Sequence, residues 1–279
     1  VSGASGIVGY GILRSLKDMP CRLIGTTIYE QSPAECFADI VEIAPLTCKE
    51  EYIPWLKDMI CKYQIDMIIP AIEADMSAWN KHRLEIEQTG TKVLLNRYEL
   101  VELCLDKWKF YERLREENCK CRIATSMTPD CGQFDFPFIL KPRCGFGSKG
   151  VVKISSAADY EQYRENVGKT LIMQEYVGSE KEEYTVSAFF DADSHMRSHI
   201  AMRRKLSKDG YTQTAEVIDS EDVLEIIQDL ASVFKPVGPT NFQFRNHKGE
   251  WKLLEINPRI SSSTSIRKAF GYNEAKMCV

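Results

Sequence analysis

The stretch Lys252-Leu253-Leu254-Glu255-Ile256-Asn257-Pro258-Arg259 places three polar side chains on alternate residues after an apolar strand pattern. Because side chains alternate across a strand, Glu255, Asn257 and Arg259 are predicted to leave it on one face. A carboxylate, an amide oxygen and a fixed cation side by side suit one Mg²⁺ with phosphate oxygens next to it. A polar strand face that meets water, closed by Pro258, is the simpler interpretation.

A second strand pattern lies just upstream. Asn241-Phe242-Gln243-Phe244-Arg245 alternates polar and aromatic residues, and residues 246–250 have the composition of a hairpin turn. A hairpin of this size brings Gln243 close to Glu255 across the strand pair, which adds another oxygen ligand. The sequence therefore predicts two adjacent strands that converge on one cation.

Composition limits the class of protein. The chain has 279 residues, of which 44% are hydrophobic and 27% charged, as in ordinary globular proteins. The net charge of −4 and the lack of a dense Lys/Arg run do not predict a nucleic-acid partner. No apolar stretch approaches the roughly 18 residues that span a bilayer, so no membrane association is predicted.

The ten cysteines are scattered, without a Cys-x-x-Cys pair or a zinc-like spacing to histidine. In a chain of this size they are typical of reduced thiols, which predicts a cytoplasmic enzyme. The chain starts at Val1 without Met and ends at Val279, soon after a helix onset at Asn273. We expect a fragment of a slightly longer protein.

The pattern of elements changes near residue 96. Before it, strands alternate with helices, which implies βαβ units and a parallel sheet. After it, a helix is predicted over residues 98–117, with Asp106-Lys107 near its middle, and hairpins follow. The later strand patterns lie at residues 138–142, 151–154, 171–177, 183–190 and 199–202, with a helix at 221–234. The class is therefore α/β followed by α+β.

Two glycine loops stand out. Gly3-Ala4-Ser5-Gly6-Ile7-Val8-Gly9 enters a helix, but its spacing departs from the dinucleotide fingerprint, which favours a structural turn over an NAD(P) site. Lys141-Pro142-Arg143-Cys144-Gly145-Phe146-Gly147-Ser148-Lys149-Gly150 lies between two strands and lacks the P-loop ending. Its amides can still fold over a triphosphate while Lys141 contacts phosphate, although a solvated hairpin is the alternative.

Three further features suit the same ligand. Lys107 is a candidate phosphate contact. The strand edge from Glu175 through Tyr176 to Val177 can offer backbone groups to adenine, and the Glu183 carboxylate can accept both ribose hydroxyls. Each also has a plain surface interpretation.

In this order the residues resemble the ATP-grasp superfamily, most nearly its carbamoyl-phosphate-synthetase-like branch. The matched order is Asp106-Lys107, Lys141 with its glycine loop, Gln174-Glu175-Tyr176-Val177, Glu183, Gln243 and Glu255-x-Asn257-x-Arg259. The resemblance implies a Rossmann-like pre-ATP-grasp domain at residues 1–96 and a two-lobed α+β ATP-grasp domain at 97–279. The lid lobe would cover about 121–176, and the metal-binding lobe about 177–279, expected to be truncated.

The resemblance also implies roles for these residues. The implied ATP-binding residues are Lys107, Lys141, Gly145, Gly147, Ser148, Gly150, Glu175, Tyr176, Val177 and Glu183. The implied ligands of Mg²⁺ (or Mn²⁺) are Gln243, Glu255 and Asn257, and the implied catalytic cations are Lys141 and Arg259. Gln243 stands where many relatives carry an acid, which removes one negative charge from the predicted metal site.

The activity implied is an ATP- and Mg²⁺-dependent ligase that activates a carboxylate as an acyl phosphate for attack by an amine. Carboxyphosphate or carbamate phosphorylation is the alternative within the family. An NAD(P) oxidoreductase and a catalytically silent nucleotide-binding module are alternatives of other classes. The partners are then small carboxylates and amines, and the sequence leaves a homodimer open.

Overall fold

The computed structural model describes residues 1–145, 149–179, 182–207, 210, 212–219 and 221–279. Parallel strand pairs come first along the chain, then a four-stranded and a five-stranded antiparallel sheet. This order confirms the predicted α/β followed by α+β class. Across the described residues, no helix has both the length and the apolar character needed to span a membrane.

The N-terminal region is built from parallel pairs. β1 (Ile24–Thr27) pairs with β2 (Ile40–Ile43), and β3 (Met67–Ile68) pairs with β4 (Lys92–Val93). Residues 1–4 link the two pairs through backbone hydrogen bonds to Thr26 on one side and Ile69 on the other. The helices of this region are α1 (Ile7–Leu16), α2 (Tyr52–Tyr63), α3 (Glu73–Lys81) and α4 (Arg83–Glu87).

The prediction of a single helix over residues 98–117 is wrong. The structure has α5 (Tyr98–Cys104) and α6 (Lys107–Glu116), separated at Asp106. The Asp106 backbone is extended, and its carboxylate accepts hydrogen bonds from the N–H groups of Trp108 and Lys109. Because an N-cap residue is not itself helical, Asp106 starts a new helix and places Lys107 at its first position.

The four-stranded sheet forms the middle region. Its strands are β5 (Thr125–Ser126), β6 (Phe138–Pro142), β7 (Val152–Ile154) and β8 (Leu171–Glu175), in the order β5-β8-β6-β7. The short helix α7 (Ala157–Glu161) packs on this sheet through Tyr160, which lies edge-on against Phe138. Both aromatic side chains are buried, so this sheet has a core of its own.

The five-stranded sheet forms the C-terminal region, in the order β11-β10-β9-β12-β13. Its strands are β9 (Glu183–Phe190), β10 (Met196–Leu206), β11 (Thr212–Val217), β12 (Gly238–His247) and β13 (Glu250–Asn257). The helix α8 (Glu221–Phe234) buries Val223, Ile227 and Leu230 in one cluster with Val186 and Phe242 of the sheet. The sequence pattern missed β11 and predicted only the middle of β10.

The last two helices return to the start of the chain. α9 (Thr264–Ala269) and α10 (Glu274–Cys278) both contact α1, and Ile260 and Ala275 share a buried cluster with Ile12 and Leu13. This packing brings the residues after β13 against the N-terminal region. The end of the sequence motif and the first glycine loop therefore lie on neighbouring elements.

Candidate functional site

The β12–β13 hairpin pairs the residues that the sequence predicted to share a metal site. Gln243 lies directly opposite Glu255, which confirms the predicted register, and the ladder shifts just after Gln243. The turn is two residues long, with φ of 54° at Lys248 and 87° at Gly249. Positive φ at both positions is typical of the tight hairpin turn that matches strand twist, so this pairing follows from local sequence.

The three polar residues of the motif form a hydrogen-bonded row. Asn257 Nδ2 donates to Glu255 Oε1 at 3.0 Å, and Arg259 Nη2 donates to Asn257 Oδ1 at 3.4 Å. The side chains therefore lie on one face, as alternation predicts. A carboxylate and an amide oxygen at adjacent positions are ligands that Mg²⁺ accepts in proteins.

Arg259 is held by a residue of the N-terminal region. Its guanidinium forms an ion pair with Glu73, the first residue of α3, and Arg259 Nη1 donates to the Ile260 carbonyl at 2.9 Å. The two charged side chains are only 13% and 19% exposed. The N-terminal region thus fixes the cation at the end of the metal motif, a contact that the sequence reasoning missed.

Two lysines approach the hairpin from the middle region. Lys141 Nζ donates to Gln174 Oε1 at 2.9 Å, and Lys107 Nζ donates to the Gly145 carbonyl at 2.6 Å. Burial lowers the pKa of Lys141 to about 8; the nearby Lys107 charge also lowers it, and Glu255 acts in the opposite direction. A buried cation with another cation beside it is a place where an anion is stabilised.

The second glycine loop is anchored where it begins. The Arg143 guanidinium donates to both carboxylate oxygens of Asp106 at distances from 2.7 to 2.9 Å. Burial alone would raise the pKa of Asp106, but the hydrogen bonds and charge of Arg143 lower it on balance. Gly145 and Gly150 have φ of 132° and 74°, values that favour glycine. The predicted residues Gly147 and Ser148 lie outside the described residues.

The segment predicted to meet adenine connects the two antiparallel sheets. Tyr176 lies between two cations, with Lys153 Nζ 4.3 Å and the Arg245 guanidinium carbon 5.7 Å from its ring centroid. The Glu175 N–H donates to the Ala124 carbonyl at 2.9 Å, and the Val177 carbonyl accepts a hydrogen bond from Arg245 at 3.3 Å. Adenine recognition by this segment stays a prediction.

Glu183 is buried between two arginines. Its carboxylate accepts hydrogen bonds from Arg204 Nη2 at 3.0 Å and from Arg245 Nη2 at 3.2 Å. The predicted ribose contact therefore shares its oxygens with two guanidinium groups, and each oxygen retains a lone pair for a further donor. Sequence reasoning gave Arg245 no role and did not predict the contact between Arg204 and Glu183, because both depend on pairing between separate strands.

A cleft of about 330 Å³ lies between the two antiparallel sheets. We call it the lysine cleft after Lys107, Lys141, Lys149 and Lys153, which line it. Its other walls include the 175–177 segment and the predicted metal residues Gln243 and Glu255. Of its four lysines, sequence reasoning assigned roles only to the first two.

A cavity of about 360 Å³ continues from the lysine cleft towards the N-terminal region. We call it the N-terminal cavity; it is defined by Ile7, Val8, Ile72, Phe110 and Tyr111. It shares lining residues with the lysine cleft at the predicted phosphate and metal positions. The two spaces together have the size and enclosure of small-molecule sites.

The first glycine loop has a packing role. A Cβ at Gly9 would lie 2.3 Å from the Gly3 carbonyl oxygen, so the loop can close this tightly only with glycine there. Ser5 Oγ hydrogen-bonds Thr27 Oγ1 at 2.5 Å and donates to Ser32 Oγ at 2.7 Å. These contacts support the structural-turn interpretation.

The residues of the lysine cleft fit a polyanion with a divalent cation. Several ammonium groups line one wall, and the oxygen ligands of the hairpin line the other. Burial and the Lys107 charge lower the pKa of Lys141 although Glu255 acts in the opposite direction, so an anion beside Lys141 would stabilise its charged form. A phosphate chain with Mg²⁺ supplies the missing negative charge and suits the oxygen ligands.

Comparisons with known proteins agree with this geometry. Residues 168–279 match the family "ATP-grasp in the biosynthetic pathway with Ter operon", and residues 11–94 match "PylC-like, N-terminal domain". The carbamoyl phosphate synthase large chain of Thermoanaerobacter sp. (strain X514) is 24% identical over 212 residues, covering 69% of this chain and 20% of that protein.

Two solved structures show the same fold. Biotin carboxylase from Campylobacter jejuni, as a β-γ-ATP complex, has a TM-score of 0.78 at 16% identity and covers 99% of this chain and 68% of that chain. The L-amino acid ligase from Bacillus licheniformis has a TM-score of 0.70 at 16% identity, and the match covers 95% of this chain and 68% of that chain.

The chain therefore has the ATP-grasp fold, and its residues 168–279 match an ATP-grasp family model. It spans about a fifth of the length of the curated relatives that it matches. The likeness to carbamoyl phosphate synthase agrees with the branch that the motif order indicated.

Proposed function

We propose that this chain binds ATP with Mg²⁺ in the lysine cleft and transfers the γ-phosphoryl group to a carboxylate, releasing ADP. An amine then attacks the resulting acyl phosphate, and phosphate leaves. The observation that carries the proposal is the convergence of the buried Lys141 with the oxygen ligands of the β12–β13 hairpin on one space. The biotin carboxylase neighbour, solved as a β-γ-ATP complex, supports a nucleotide in a fold of this kind.

Different residues of the lysine cleft contact different parts of the nucleotide. Lys107 and Lys141 bind and orient phosphate oxygens, and Tyr176 and Val177 border the space for adenine. Glu255 and Asn257 hold the divalent ion, which neutralises phosphate charge when bound. Because the barrier to phosphoryl transfer is mainly charge repulsion and positioning, these fixed charges are the main catalytic contribution we assign.

The N-terminal cavity is where we place the carboxylate and the amine. Arg259, Ser261 and Ser262 line it with groups that can donate to a carboxylate, and Glu73 lies beside Arg259. Its apolar wall excludes water. An acyl phosphate needs this protection from hydrolysis until the amine attacks. The L-amino acid ligase neighbour supports a carbon–nitrogen bond-forming reaction. The carbamoyl phosphate synthase relative favours the alternative, carboxyphosphate chemistry.

A screen of ADP release tests the proposal. The protein is incubated with MgATP and a panel of carboxylic acids crossed with amines, with bicarbonate as one of the acids. We expect ADP release to depend on both an acid and an amine. Release with bicarbonate alone would favour the carboxyphosphate alternative, and binding of MgATP without any dependent release would favour a silent nucleotide-binding module. A thermal shift with NAD(P)H but not with ATP would contradict the proposal.

A further inference from the structure

Arg204 is the buried member of a basic run on β10. Its side chain is 5% exposed, whereas that of its neighbour Arg203 is 49% exposed and pairs with Glu216 at the surface. Lys205, on the other side, is exposed. Alternation along the strand therefore turns one cation of the run inward and leaves two outside.

The inward guanidinium lies against a residue predicted to bind metal. Arg204 Nη2 donates to Gln243 Oε1 at 2.7 Å and to Glu183 Oε1 at 3.0 Å. Arg204 Nε is buried without a hydrogen-bond partner, and no described residue accepts from Nη1. The side chain also lines the N-terminal cavity next to Gln243 and Glu255, where that cavity meets the lysine cleft.

Charge decides whether this place also holds a metal ion. Gln243 is neutral, and the charge of Glu183 is shared between Arg204 and Arg245. A divalent ion bound to Gln243 Oε1 would lie close to a guanidinium that donates to the same oxygen. Two cations at such a distance in a poorly solvated site repel strongly, and the nearby carboxylate of Glu255 is already assigned to the first divalent ion.

We propose that Arg204, and not a second metal ion, occupies the phosphate-facing place beside Gln243. The nucleotide is then held by one divalent ion at Glu255 and Asn257 and by the Arg204 guanidinium. A fixed guanidinium neutralises phosphate charge and donates several hydrogen bonds in a plane, as phosphate recognition requires. This inference rests on the proposed binding of ATP and changes only how the phosphates are held.

Counting bound Mn²⁺ tests it directly. The protein is titrated with Mn²⁺ in the presence of β,γ-imido-ATP, and free Mn²⁺ is followed by electron paramagnetic resonance. We expect one Mn²⁺ per protein with the analogue bound, and two would overturn the inference. If the protein bound neither the analogue nor Mn²⁺, the proposed function itself would fail, so the two failures are distinguishable.

Substitutions then assign the effect to Arg204. With Mn²⁺ saturating, we expect Arg204→Met to weaken binding of the analogue by about tenfold, because charge-assisted contacts to phosphate are lost. The matched surface variant Arg203→Met should leave binding unchanged. Equal affinity of Arg204→Met and the wild type would overturn the inference, as would equal losses in the two variants.

A double variant should create a second metal site beside residue 243. Arg204→Met combined with Gln243→Glu removes the cation and adds an acid, so we expect a second bound Mn²⁺; a count that stays at one would overturn the inference. If Arg204→Met does not fold, as judged by circular dichroism, Arg204→Lys keeps the charge beside Glu183. We expect Arg204→Lys to weaken the analogue about threefold, since an ammonium lacks the planar fork, and unchanged binding would overturn the inference.

Discussion

The lysine cleft and the N-terminal cavity meet at the same residues but are built differently. The lysine cleft is bordered by elements of the two antiparallel sheets, and its walls carry ammonium, guanidinium and carboxylate groups. The N-terminal cavity is bordered by α1, by the start of α3 and by α6, and it is defined by apolar side chains such as Ile72 and Phe110. The lysine cleft suits a nucleotide, and the N-terminal cavity, which carries Arg259 and Glu73 beside its apolar wall, suits a smaller acid with an apolar part.

This difference separates the chemistry from the choice of acceptor. The charges to which we assign triphosphate binding lie on the two antiparallel sheets and α6, so they can stay constant while the N-terminal wall changes. The Glu73–Arg259 ion pair lines the N-terminal cavity and joins the N-terminal region to the end of the predicted metal motif. Variants in the lysine cleft should therefore affect every substrate, and variants on the apolar wall of the N-terminal cavity should affect the acceptor alone.

Removal of the Glu255 carboxylate at the proposed metal site should have the largest effect. We expect Glu255→Ala to lower the rate of ADP release by about 100-fold or more, because the divalent ion loses its charged ligand. The matched control is Glu250→Ala on the same strand, whose side chain is 71% exposed and pairs with Lys252. ADP release should be near normal in the control, and similar losses in both variants would contradict a metal role for Glu255.

Filling the N-terminal cavity should have an intermediate effect on one substrate only. We expect Val8→Phe, on α1, to raise the KM for the acceptor by about tenfold through lost space, without a change in the Kd of ATP. Val217→Phe on β11 adds the same bulk at a residue that is 41% exposed, and it should change neither constant. A weaker ATP affinity in Val8→Phe would break the proposed division between the two spaces.

The smallest effect should be a pH dependence of nucleotide affinity. Burial and the Lys107 charge lower the pKa of Lys141 to about 8 from an ordinary 10.5, so its charge is lost as pH rises through about 8. Across that pKa we expect the affinity for ATP to fall, by about threefold between about pH 7.5 and about pH 8.5. Lys141→Arg should remain charged and show a flatter profile from about pH 7 to about pH 9.5. Parallel profiles would contradict the assignment.

The same lowered pKa affects stability in the opposite direction. Between pH values of about 8 and 10.5 the unfolded chain binds more protons at Lys141 than the folded chain does. The penalty for burying this cation is therefore fully present below about pH 8 and is relieved as pH rises towards 10.5. Nucleotide binding and unliganded stability should thus respond to pH with opposite signs.

The error at residues 98–117 shows what helical periodicity leaves out. The apolar spacing continues through Asp106, but the carboxylate captures the N–H groups that follow it and also pairs with Arg143 from the second glycine loop. An aspartate before a basic and aromatic stretch is an N-cap signal that the pattern alone could have given. Its ion pair with Arg143 could not be predicted from local sequence, because 37 residues separate Asp106 from Arg143.

The sequence by itself determined the β12–β13 hairpin, because a two-residue turn and strand alternation fix Gln243 opposite Glu255 through local geometry. It also identified the glycine loop and its lysine from residues close together in the chain. Only the tertiary structure decided that Arg204 turns towards Gln243 and that Glu73 meets Arg259. Those contacts join segments far apart in the chain, and their geometry depends on how strands pair and regions pack, which no local pattern encodes.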